Sequence, residues 1–257
     1  QLTNLPIDQL TNLPIDQLTN LPIDQLTNLP IDQLTNLPIY QPPIHHSRAT
    51  MTHFILIRHG ETEWNKKRII QGSKDSPLTE EGVRGAERLS ERLRETHFDL
   101  VITSPLYRAY RTARIILKER SIPIIKNDSL KEINCGIFEG FTFQEIWEKY
   151  PELRATLHSD PLNFRYPGGE SLHEFYDRVK LGFEKIMEEY SEKTILIVAH
   201  GGTIKGLTSY MIEKADPSSW FRNVVDNCSL TEIDYVDGKF SMINYNDTVH
   251  MNINWLR

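Results

Sequence analysis

Four short apolar runs are separated along the chain by longer segments of mixed polarity. The runs are Phe54–Ile57, Leu100–Ile102, Ile122–Ile125 and Ile195–Val198. Runs this short, rich in Ile, Leu and Val, are typical of strands that are buried on both faces of a parallel sheet. The pattern therefore predicts a sheet in which these four segments are parallel neighbours.

The segments between the runs repeat their apolar residues with helical spacing. The predicted helices begin at Thr79, Ser104, Thr142, Ser171 and about Thr203, and the third is interrupted near Pro151. Two further strands, at 229–235 and 240–245, flank an Asp-Gly pair and predict a hairpin. Alternating strands and helices predict an α/β fold, a three-layer α/β/α sandwich around a mostly parallel sheet. The hairpin is expected to add an antiparallel edge.

Residues 1–50 differ in composition from the rest of the chain. They repeat QLTNLPID four times and then QLTNLPIY, and they hold seven of the 14 Pro and none of the 13 Gly. A period of eight is too short for a leucine-rich repeat of roughly 20–29 residues, and a proline in every unit prevents a continuous helix. We expect residues 51–257 to form the functional domain, beginning at or near Met51. Residues 1–50 are then a disordered extension or a gene-boundary error.

Charge and composition exclude several classes of protein. The formal net charge is −6, without the concentrated basic face that nucleic-acid binding requires. No apolar stretch reaches the roughly 18–20 residues of a membrane span. The two cysteines are too few for a disulfide framework. We expect a cytoplasmic protein, a monomer or homodimer, without nucleic-acid or membrane partners.

Histidine and arginine residues gather where the predicted strands end. Arg58 and His59 follow the first strand, and His200 follows the fourth. Arg108 lies one turn into the helix after the second strand. Because ligands bind beyond the carboxyl ends of parallel strands, these side chains are expected to converge on one pocket. Guanidinium groups bind phosphate oxygens in bidentate fashion and a neutral imidazole is a nucleophile, so the pattern predicts a phosphate site.

The motifs around these residues resemble the signature of the histidine phosphatase (phosphoglycerate mutase-like) superfamily. The resemblance covers nearly all of 51–257 and begins with RHGETEWN at 58–65. It continues through QG at 71–72, DSPLT at 75–79, SPLYRA at 104–109, LKEI at 130–133, GIFEG at 136–140, PGGES at 167–171 and HGG at 200–202. The resemblance implies a phosphoglycerate mutase-like fold and a phosphohistidine intermediate.

The resemblance also implies roles for individual residues. His59 is the implied nucleophile, and Glu132 is the implied proton donor to the leaving oxygen and later the base for water. The residues that line the implied phosphate and substrate pocket are Arg58, Arg108, His200, Asn65, Gln71, Gly72 and, through its backbone amide, Gly201. The resemblance implies no metal ion and no cofactor.

Within this superfamily the sequence favours a phosphatase over a mutase. Glu132 and His200 are 68 positions apart, an interval where cofactor-dependent mutases carry a longer insertion with paired arginines. We expect a hydrolase of small-molecule phosphate monoesters, most similar to the broad-specificity PhoE-like branch. The alternatives are a bisphosphoglycerate-dependent phosphoglycerate mutase and a dedicated phosphatase for a sugar bisphosphate, α-ribazole phosphate or phosphoserine. A noncatalytic phosphate-binding protein is a further alternative.

Other residues of these motifs are expected to have structural roles. Glu139 and Glu170 are predicted to make structural hydrogen bonds, and Cys135 is predicted to pack rather than react. The aromatic residues of 138–170 are expected to be divided between the core and an apolar entrance that accepts bulky monoesters.

Overall fold

A six-stranded sheet forms the centre of the molecule. The computed structural model describes residues 51–212 and 223–252, so the predictions for residues 1–50 lie outside the described residues. The strands are β1 (Met51–Arg58), β2 (Leu100–Thr103), β3 (Ile124–Lys126), β4 (Thr194–Ala199), β5 (Leu230–Val236) and β6 (Lys239–Asp247). Their order is β3-β2-β4-β1-β5-β6. The first four are parallel and the last two are antiparallel, which confirms the predicted mostly parallel sheet.

The helices begin close to the predicted positions. They are α1 (Glu63–Lys66), α2 (Glu80–Arg92), α3 (Tyr107–Leu117), α4 (Phe143–Lys149), α5 (Pro151–Ser159), α6 (Leu172–Glu189) and α7 (Gly201–Ile212). Thr79 and Ser171 cap α2 and α6, because each hydroxyl accepts a backbone N–H of the first turn. The interruption predicted near Pro151 is the boundary between α4 and α5. Within the described ranges, no helix has both the length and the apolar character needed to cross a membrane.

Helices cover both faces of the sheet. Side chains alternate along a strand, so Phe54 and Leu56 of β1 point to one face while Ile55 and Ile57 point to the other. Phe54 and Leu56 belong to a core shared with α6 and α7, and Ile55 and Ile57 pack with α2 and α3. All four side chains are fully buried, so the strand is covered on both sides. The predicted three-layer α/β/α sandwich is confirmed.

The third strand begins later than predicted. It starts at Ile124 rather than Ile122, whose backbone N–H instead closes a turn with Arg120. Pro123 has no N–H to give to the sheet, and only its carbonyl takes part by accepting the N–H of Val101. Apolar composition identified the segment, while the turn and the proline decided where pairing begins.

The predicted hairpin joins β5 to β6. Its central residues, Asp237 and Gly238, have φ angles of 48° and 81°. Positive φ at both positions defines a type I′ turn, whose twist matches that of the flanking strands. The hairpin places β6 at the edge of the sheet, as predicted.

The carboxyl ends of β1, β4 and β2 meet at one edge of the sheet. Arg58 pairs with Ala199 in the β1–β4 ladder, and Thr103 pairs with Val198 in the β2–β4 ladder. Residues that follow these three strands are therefore brought together by the parallel register.

Candidate active site

His59 lies directly after β1 with only 3% of its surface exposed. Its Nδ1 is 2.8 Å from the carbonyl oxygen of Gly60, and its Nε2 is 3.3 Å from Nε of Arg108. An arginine side chain only donates, so Nε2 accepts and Nδ1 carries the ring proton. In this tautomer the lone pair of Nε2 points toward Arg108 and accepts the N–H of its Nε.

The surroundings of His59 keep its ring uncharged. Burial lowers the pKa of His59 well below its ordinary value, and the positive charges of Arg108 and Arg58 lower it further. A neutral imidazole is the nucleophilic form. The site therefore favours the neutral form of His59 at neutral pH.

His200 is a second buried imidazole, directly after β4. Its ring centroid is 5.2 Å from that of His59, and its Nε2 is 2.8 Å from Oγ of Ser104. Its Nδ1 is buried and has no hydrogen-bond partner in the described part of the chain. Burial, and then the charge of Arg108, hold the pKa of His200 well below its ordinary value. The two strand-end histidines predicted to converge are therefore adjacent and both neutral.

Arg108 is 1% exposed and its guanidinium is held from several directions. Nη1 donates to the carbonyl of Lys74 at 2.6 Å and to the Asp75 carboxylate at 3.0 Å, and Nη2 donates to the carbonyl of Gly72 at 2.7 Å. Nε faces His59, so one of the five N–H groups, on Nη2, has no acceptor among the described residues. Nε and Nη2 lie on the edge of the guanidinium that side-on binding of a phosphate uses.

The helix that carries Arg108 begins at Tyr107, three residues later than predicted. Ser104 does not cap it; the carboxylate of Asp75 accepts the backbone N–H groups of Tyr107 at 2.6 Å and Arg108 at 3.3 Å. Asp75 thus orients both the first turn of α3 and the Arg108 side chain. The Ser104 hydroxyl is left to contact His200.

Gly72 belongs to the loop that holds Arg108. Its φ is +54°, and a Cβ there would lie 2.1 Å from Oε1 of Glu139. That oxygen of Glu139 accepts the backbone N–H groups of Ser73 at 2.8 Å and Cys135 at 3.0 Å. Glu139 is 4% exposed, so its predicted structural role is confirmed. Gln71 is also buried, and its Oε1 has no partner within the described ranges.

Arg58 is the last residue of β1 and directly precedes His59. Nη1 of Arg58 donates to the carbonyl of Val225 at 2.5 Å, and its buried Nε has no acceptor among the residues described. A Cβ on Gly201 would lie 3.4 Å from that Nε, an ordinary contact distance, so the first turn of α7 lies next to the guanidinium. Burial lowers the pKa of Arg58, but a guanidinium keeps its charge at any working pH.

Glu132 lies beside the first turn of α7. Its Oε2 accepts the backbone N–H of Gly202 at 2.9 Å, and its Oε1 accepts that of Ile133 at 3.0 Å. Its negative charge partly offsets the lowering of the pKa that burial causes at Arg58 and Arg108. The carboxylate therefore shares one pocket with both guanidinium groups. Its contact with Gly202 also brings it close to His200 in the fold, although 68 positions of sequence separate Glu132 from His200.

Asn65 reaches the same pocket through a capping box. Its Oδ1 accepts the backbone N–H of Thr62 at 3.1 Å, and Nδ2 of Asn227 is 3.4 Å from it. Asn227 also donates to the carbonyl of His59 at 2.9 Å. Oδ1 of Asn65 is therefore used as an acceptor within the protein, and Nδ2 is the donor of this side chain.

Sequence reasoning missed four residues that hold the site: Asp75, Ser104, Arg178 and Asn227. Asp75 and Ser104 lie inside the quoted motifs, but Ser104 is predicted only to begin a helix and Asp75 has no predicted role. Arg178 lies in the middle of α6, where a charged residue is ordinarily solvent-exposed. Asn227 has no motif signal, since only the tertiary structure brings it to His59.

Cys135 and Glu170 have structural environments. Cys135 is buried, and burial raises the pKa of its thiol, so the predicted packing role is confirmed. Glu170 accepts the backbone N–H of Asn134 at 2.8 Å and pairs with Arg178, as its predicted structural role requires. Among the described residues, no group of three His, Cys, Asp or Glu side chains is arranged to hold a metal ion.

The aromatic residues of 138–170 are divided between the core and the surface. Phe138 and Phe164 are buried and 6.1 Å apart between ring centroids. Phe143 is 48% exposed and stacks on Trp147 at 5.5 Å. The core part of the prediction is confirmed, while an apolar entrance stays a prediction.

The fold and the site define an α/β protein of the phosphoglycerate mutase-like class, with a buried pocket of two imidazoles, two guanidinium groups and one carboxylate. The histidine phosphatase superfamily (branch 1) matches residues 54–248. The chain belongs to this superfamily, as its motifs indicated.

Similar proteins include several phosphatases. The phosphatase PhoE of Bacillus subtilis is 36% identical over 201 residues, which cover 78% of this chain and 97% of that protein. Phosphoserine phosphatase 1 of Hydrogenobacter thermophilus is 32% identical over 201 residues, covering 78% of this chain and 95% of its own length. The crystal structure of the alpha-ribazole phosphatase from Shigella flexneri superimposes with a TM-score of 0.72 at 29% identity, covering 76% of this chain and 96% of that one. These matches support the predicted phosphomonoesterase.

Proposed function

We propose that this chain hydrolyses small-molecule phosphate monoesters through a phosphohistidine on Nε2 of His59, without a metal ion. The observation that carries the proposal is the lone pair of a buried, neutral imidazole 3.3 Å from Nε of Arg108. A phosphate that binds side-on to Arg108 takes the Nε N–H from His59, which frees the lone pair and brings the phosphorus next to it. Arg58, His200, Asn65 and the amide of Gly201 are proposed to bind its remaining oxygens.

The first step transfers the phosphoryl group to the enzyme. Nε2 of His59 attacks phosphorus, and the bond from phosphorus to the ester oxygen breaks with its electron pair on that oxygen. Glu132 gives the leaving oxygen a proton, because an alkoxide is a poor leaving group. Fixed cationic groups stabilise charge on the equatorial oxygens without reorganising.

The second step returns the histidine to its starting state. Glu132, now a carboxylate, accepts a proton from water as the water oxygen attacks phosphorus. The bond from phosphorus to nitrogen breaks, and its electron pair returns to Nε2 of His59. Inorganic phosphate leaves, and Glu132 is protonated for the next cycle.

The substrate class is proposed from the pocket and from the phosphatase relatives. We place the catalytic domain in residues 51–257. We also propose a cytoplasmic location, where the free, buried thiols of Cys135 and Cys228 would remain reduced. Gln71 and Gly72 are proposed to contact the substrate. A panel containing p-nitrophenyl phosphate, glycerol 2-phosphate, phosphoserine and 3-phosphoglycerate separates a broad phosphatase from a dedicated one, and product analysis of 3-phosphoglycerate separates both from a mutase.

Trapping the covalent intermediate tests the proposal. Rapid acid-free quenching after addition of labelled p-nitrophenyl phosphate, with chelator present, is expected to yield acid-labile, alkali-stable phosphate on a peptide containing His59. The His59→Ala variant is expected to carry no label.

The control variant is His173→Ala, which removes an exposed histidine on α6. It is expected to label like the unaltered protein. Label retained by His59→Ala, or label on a different residue, would contradict the assignment of the nucleophile. Turnover that stops in chelator and resumes with added metal would contradict the metal-free mechanism.

A further inference from the structure

The guanidinium of Arg178 holds one segment of backbone and the carboxylate of Glu170. Nη1 donates to the carbonyls of Ser129 at 2.9 Å and Lys131 at 3.1 Å, and Nη2 donates to the carbonyl of Glu132 at 3.3 Å. Nε and Nη2 also donate to the two carboxylate oxygens of Glu170, at 2.8 and 2.9 Å. These contacts match the five N–H groups of an arginine. We call residues 129–134 the Glu132 loop.

Glu170 holds the other end of the Glu132 loop. Its carboxylate accepts the N–H of Asn134 at 2.8 Å, and its own backbone N–H donates to the carbonyl of Asn134 at 2.9 Å. Burial alone would raise the pKa of Glu170, but the hydrogen bonds from Arg178 and Asn134 outweigh it and leave the pKa below its ordinary value. The Arg178–Glu170 pair is therefore charged at neutral pH and grips the loop on both sides of Glu132.

Apart from the contacts with Arg178 and Glu170, the loop is held by the burial of Leu130 and Ile133 in the core and by few hydrogen bonds. Only Asp128–Leu130, a short 3₁₀ turn, is regular structure in this part of the chain. The hydroxyl of Thr203 adds contacts of 3.2 Å to the carbonyls of Leu130 and Lys131. Among the described residues, the carboxylate of Glu132 is hydrogen-bonded to the backbone N–H groups of Ile133, in the loop, and Gly202, in α7, so the positions of these two backbone segments decide where that carboxylate lies.

We propose that Arg178 and Glu170 are positioning residues that fix the carboxyl group of Glu132 for proton transfer to the leaving oxygen. The inference rests on the proposed function, because it assigns these residues to the acid step of that mechanism. Neither residue contacts the reacting atoms. Displacing a catalytic group by about 1 Å is enough to cost about 10²-fold in rate, so a loosened loop has a kinetic consequence.

The two substrates that test this inference differ in their need for an acid. Glycerol 2-phosphate has an alkoxide leaving group that must be protonated, whereas p-nitrophenolate leaves without help. A general loss of structure lowers turnover of both esters alike. Misplacement of Glu132 lowers kcat/KM for glycerol 2-phosphate and largely spares p-nitrophenyl phosphate.

The experiment compares Arg178→Lys, Glu170→Gln and Glu132→Gln on both esters in the full chain. Glu132→Gln is expected to lose about 10²-fold on glycerol 2-phosphate and less than about tenfold on p-nitrophenyl phosphate. Arg178→Lys keeps the charge but not the fork, and Glu170→Gln keeps an acceptor but not the charge. Each is expected to lose about tenfold more on glycerol 2-phosphate than on p-nitrophenyl phosphate. In the Glu132→Gln background, Arg178→Lys is expected to change the ratio of activity on the two esters by less than about twofold, because the acid that it would position is already absent.

Arg165→Ala is the matched control. Arg165 pairs with Glu174 and donates to the carbonyl of Gly169 at 2.7 Å, so it forms a neighbouring arginine–glutamate contact outside the Glu132 loop. This variant is expected to leave the ratio of the two activities unchanged. If Arg178→Lys does not fold, as judged by circular dichroism, Glu170→Gln carries the test.

The outcomes separate the inference from the function on which it rests. Equal losses on both esters for the Arg178 and Glu170 variants, with unequal losses for Glu132→Gln, would overturn the positioning role alone. Equal losses on both esters for Glu132→Gln would overturn the acid role of Glu132, and the positioning role with it. Both the positioning role and the acid role are supported if Arg178→Lys, Glu170→Gln and Glu132→Gln each lose more activity on glycerol 2-phosphate than on p-nitrophenyl phosphate. The double variant must then show nearly the same difference between the two esters as Glu132→Gln alone.

Discussion

The two reacting sides of the pocket are built differently. The nucleophile corner (residues 58–60) continues directly from a central strand, and the backbone N–H of His59 is bonded to the neighbouring strand at 3.0 Å. The Glu132 loop has no strand or α-helix of its own and is held by side chains from α6, from the segment before it and from α7. The position of His59 is therefore set by the sheet, whereas the position of Glu132 depends on the Arg178–Glu170 ion pair, which is remote in sequence.

This difference predicts how each side responds to mutation. A residue at a strand end is fixed by many cooperative hydrogen bonds, so a single side-chain change there removes chemistry and leaves the backbone in place. A loop held by a few charged contacts moves when one contact is lost. We therefore expect variants of the nucleophile corner to affect all esters alike, and variants around Glu132 to discriminate between leaving groups.

The largest expected effect is that of His59→Ala. It removes the proposed nucleophile, so turnover of p-nitrophenyl phosphate and glycerol 2-phosphate is expected to fall by at least about 10³-fold, equally for both. Steady-state kinetics with both esters checks this. The thermal midpoint is measured alongside to establish that the variant is folded, with His173→Ala as control. If His59→Ala kept substantial activity on p-nitrophenyl phosphate alone, the contrast between the two sides of the pocket would be wrong, because His59 would then act on the leaving group.

A smaller effect is expected for Ser104→Ala. This change removes the 2.8 Å contact that orients the His200 ring, and one neutral hydrogen bond contributes about 0.5–1.5 kcal/mol, or roughly twofold to tenfold in rate. The loss is expected to be the same for both esters, because His200 is assigned to the transferred phosphate. A loss confined to glycerol 2-phosphate would place Ser104 on the acid side of the pocket instead.

The smallest expected effect is that His59 and His200 do not titrate near neutral pH. Because burial and the nearby arginines lower the pKa of His59 and His200, both rings are expected to stay neutral from pH 7.5 to 6.0 in the substrate-free protein. Free histidine is about three quarters protonated at pH 6.0. Ring carbon signals in a two-dimensional NMR titration, with free histidine as internal reference, check this. A midpoint near 6.5 for His59 would contradict the neutral pocket.

The same shifts fix the sign of the dependence of stability on pH. A histidine whose pKa is lowered in the folded state binds fewer protons there than in the unfolded chain. The contribution of His59 and His200 is therefore complete above about pH 6.5 and is lost as the pH falls below it. The free energy of unfolding is therefore expected to decrease as the pH is lowered below about 6.5.

Much of the fold could be predicted from the sequence because its signals are local. The buried strands are uninterrupted apolar runs, and the caps of α2 and α6 are short polar patterns that need no distant partner. The start of α3 could not be predicted in this way. Its cap is the carboxylate of Asp75, which comes from a loop 32 positions away from Tyr107.

The sequence by itself determined that His59, His200 and Arg108 would meet, because parallel strands bring their carboxyl ends to one edge whatever the loops do. Only the tertiary structure decided which ring nitrogen of His59 carries the proton, since that depends on a donor from α3 and an acceptor from Gly60. It also decided how Glu132 is held, because the grip of Arg178 on the Glu132 loop is a long-range contact without a periodic pattern. Sheet geometry follows from local apolar order, whereas the orientation of a buried polar group depends on every partner that packing brings to it.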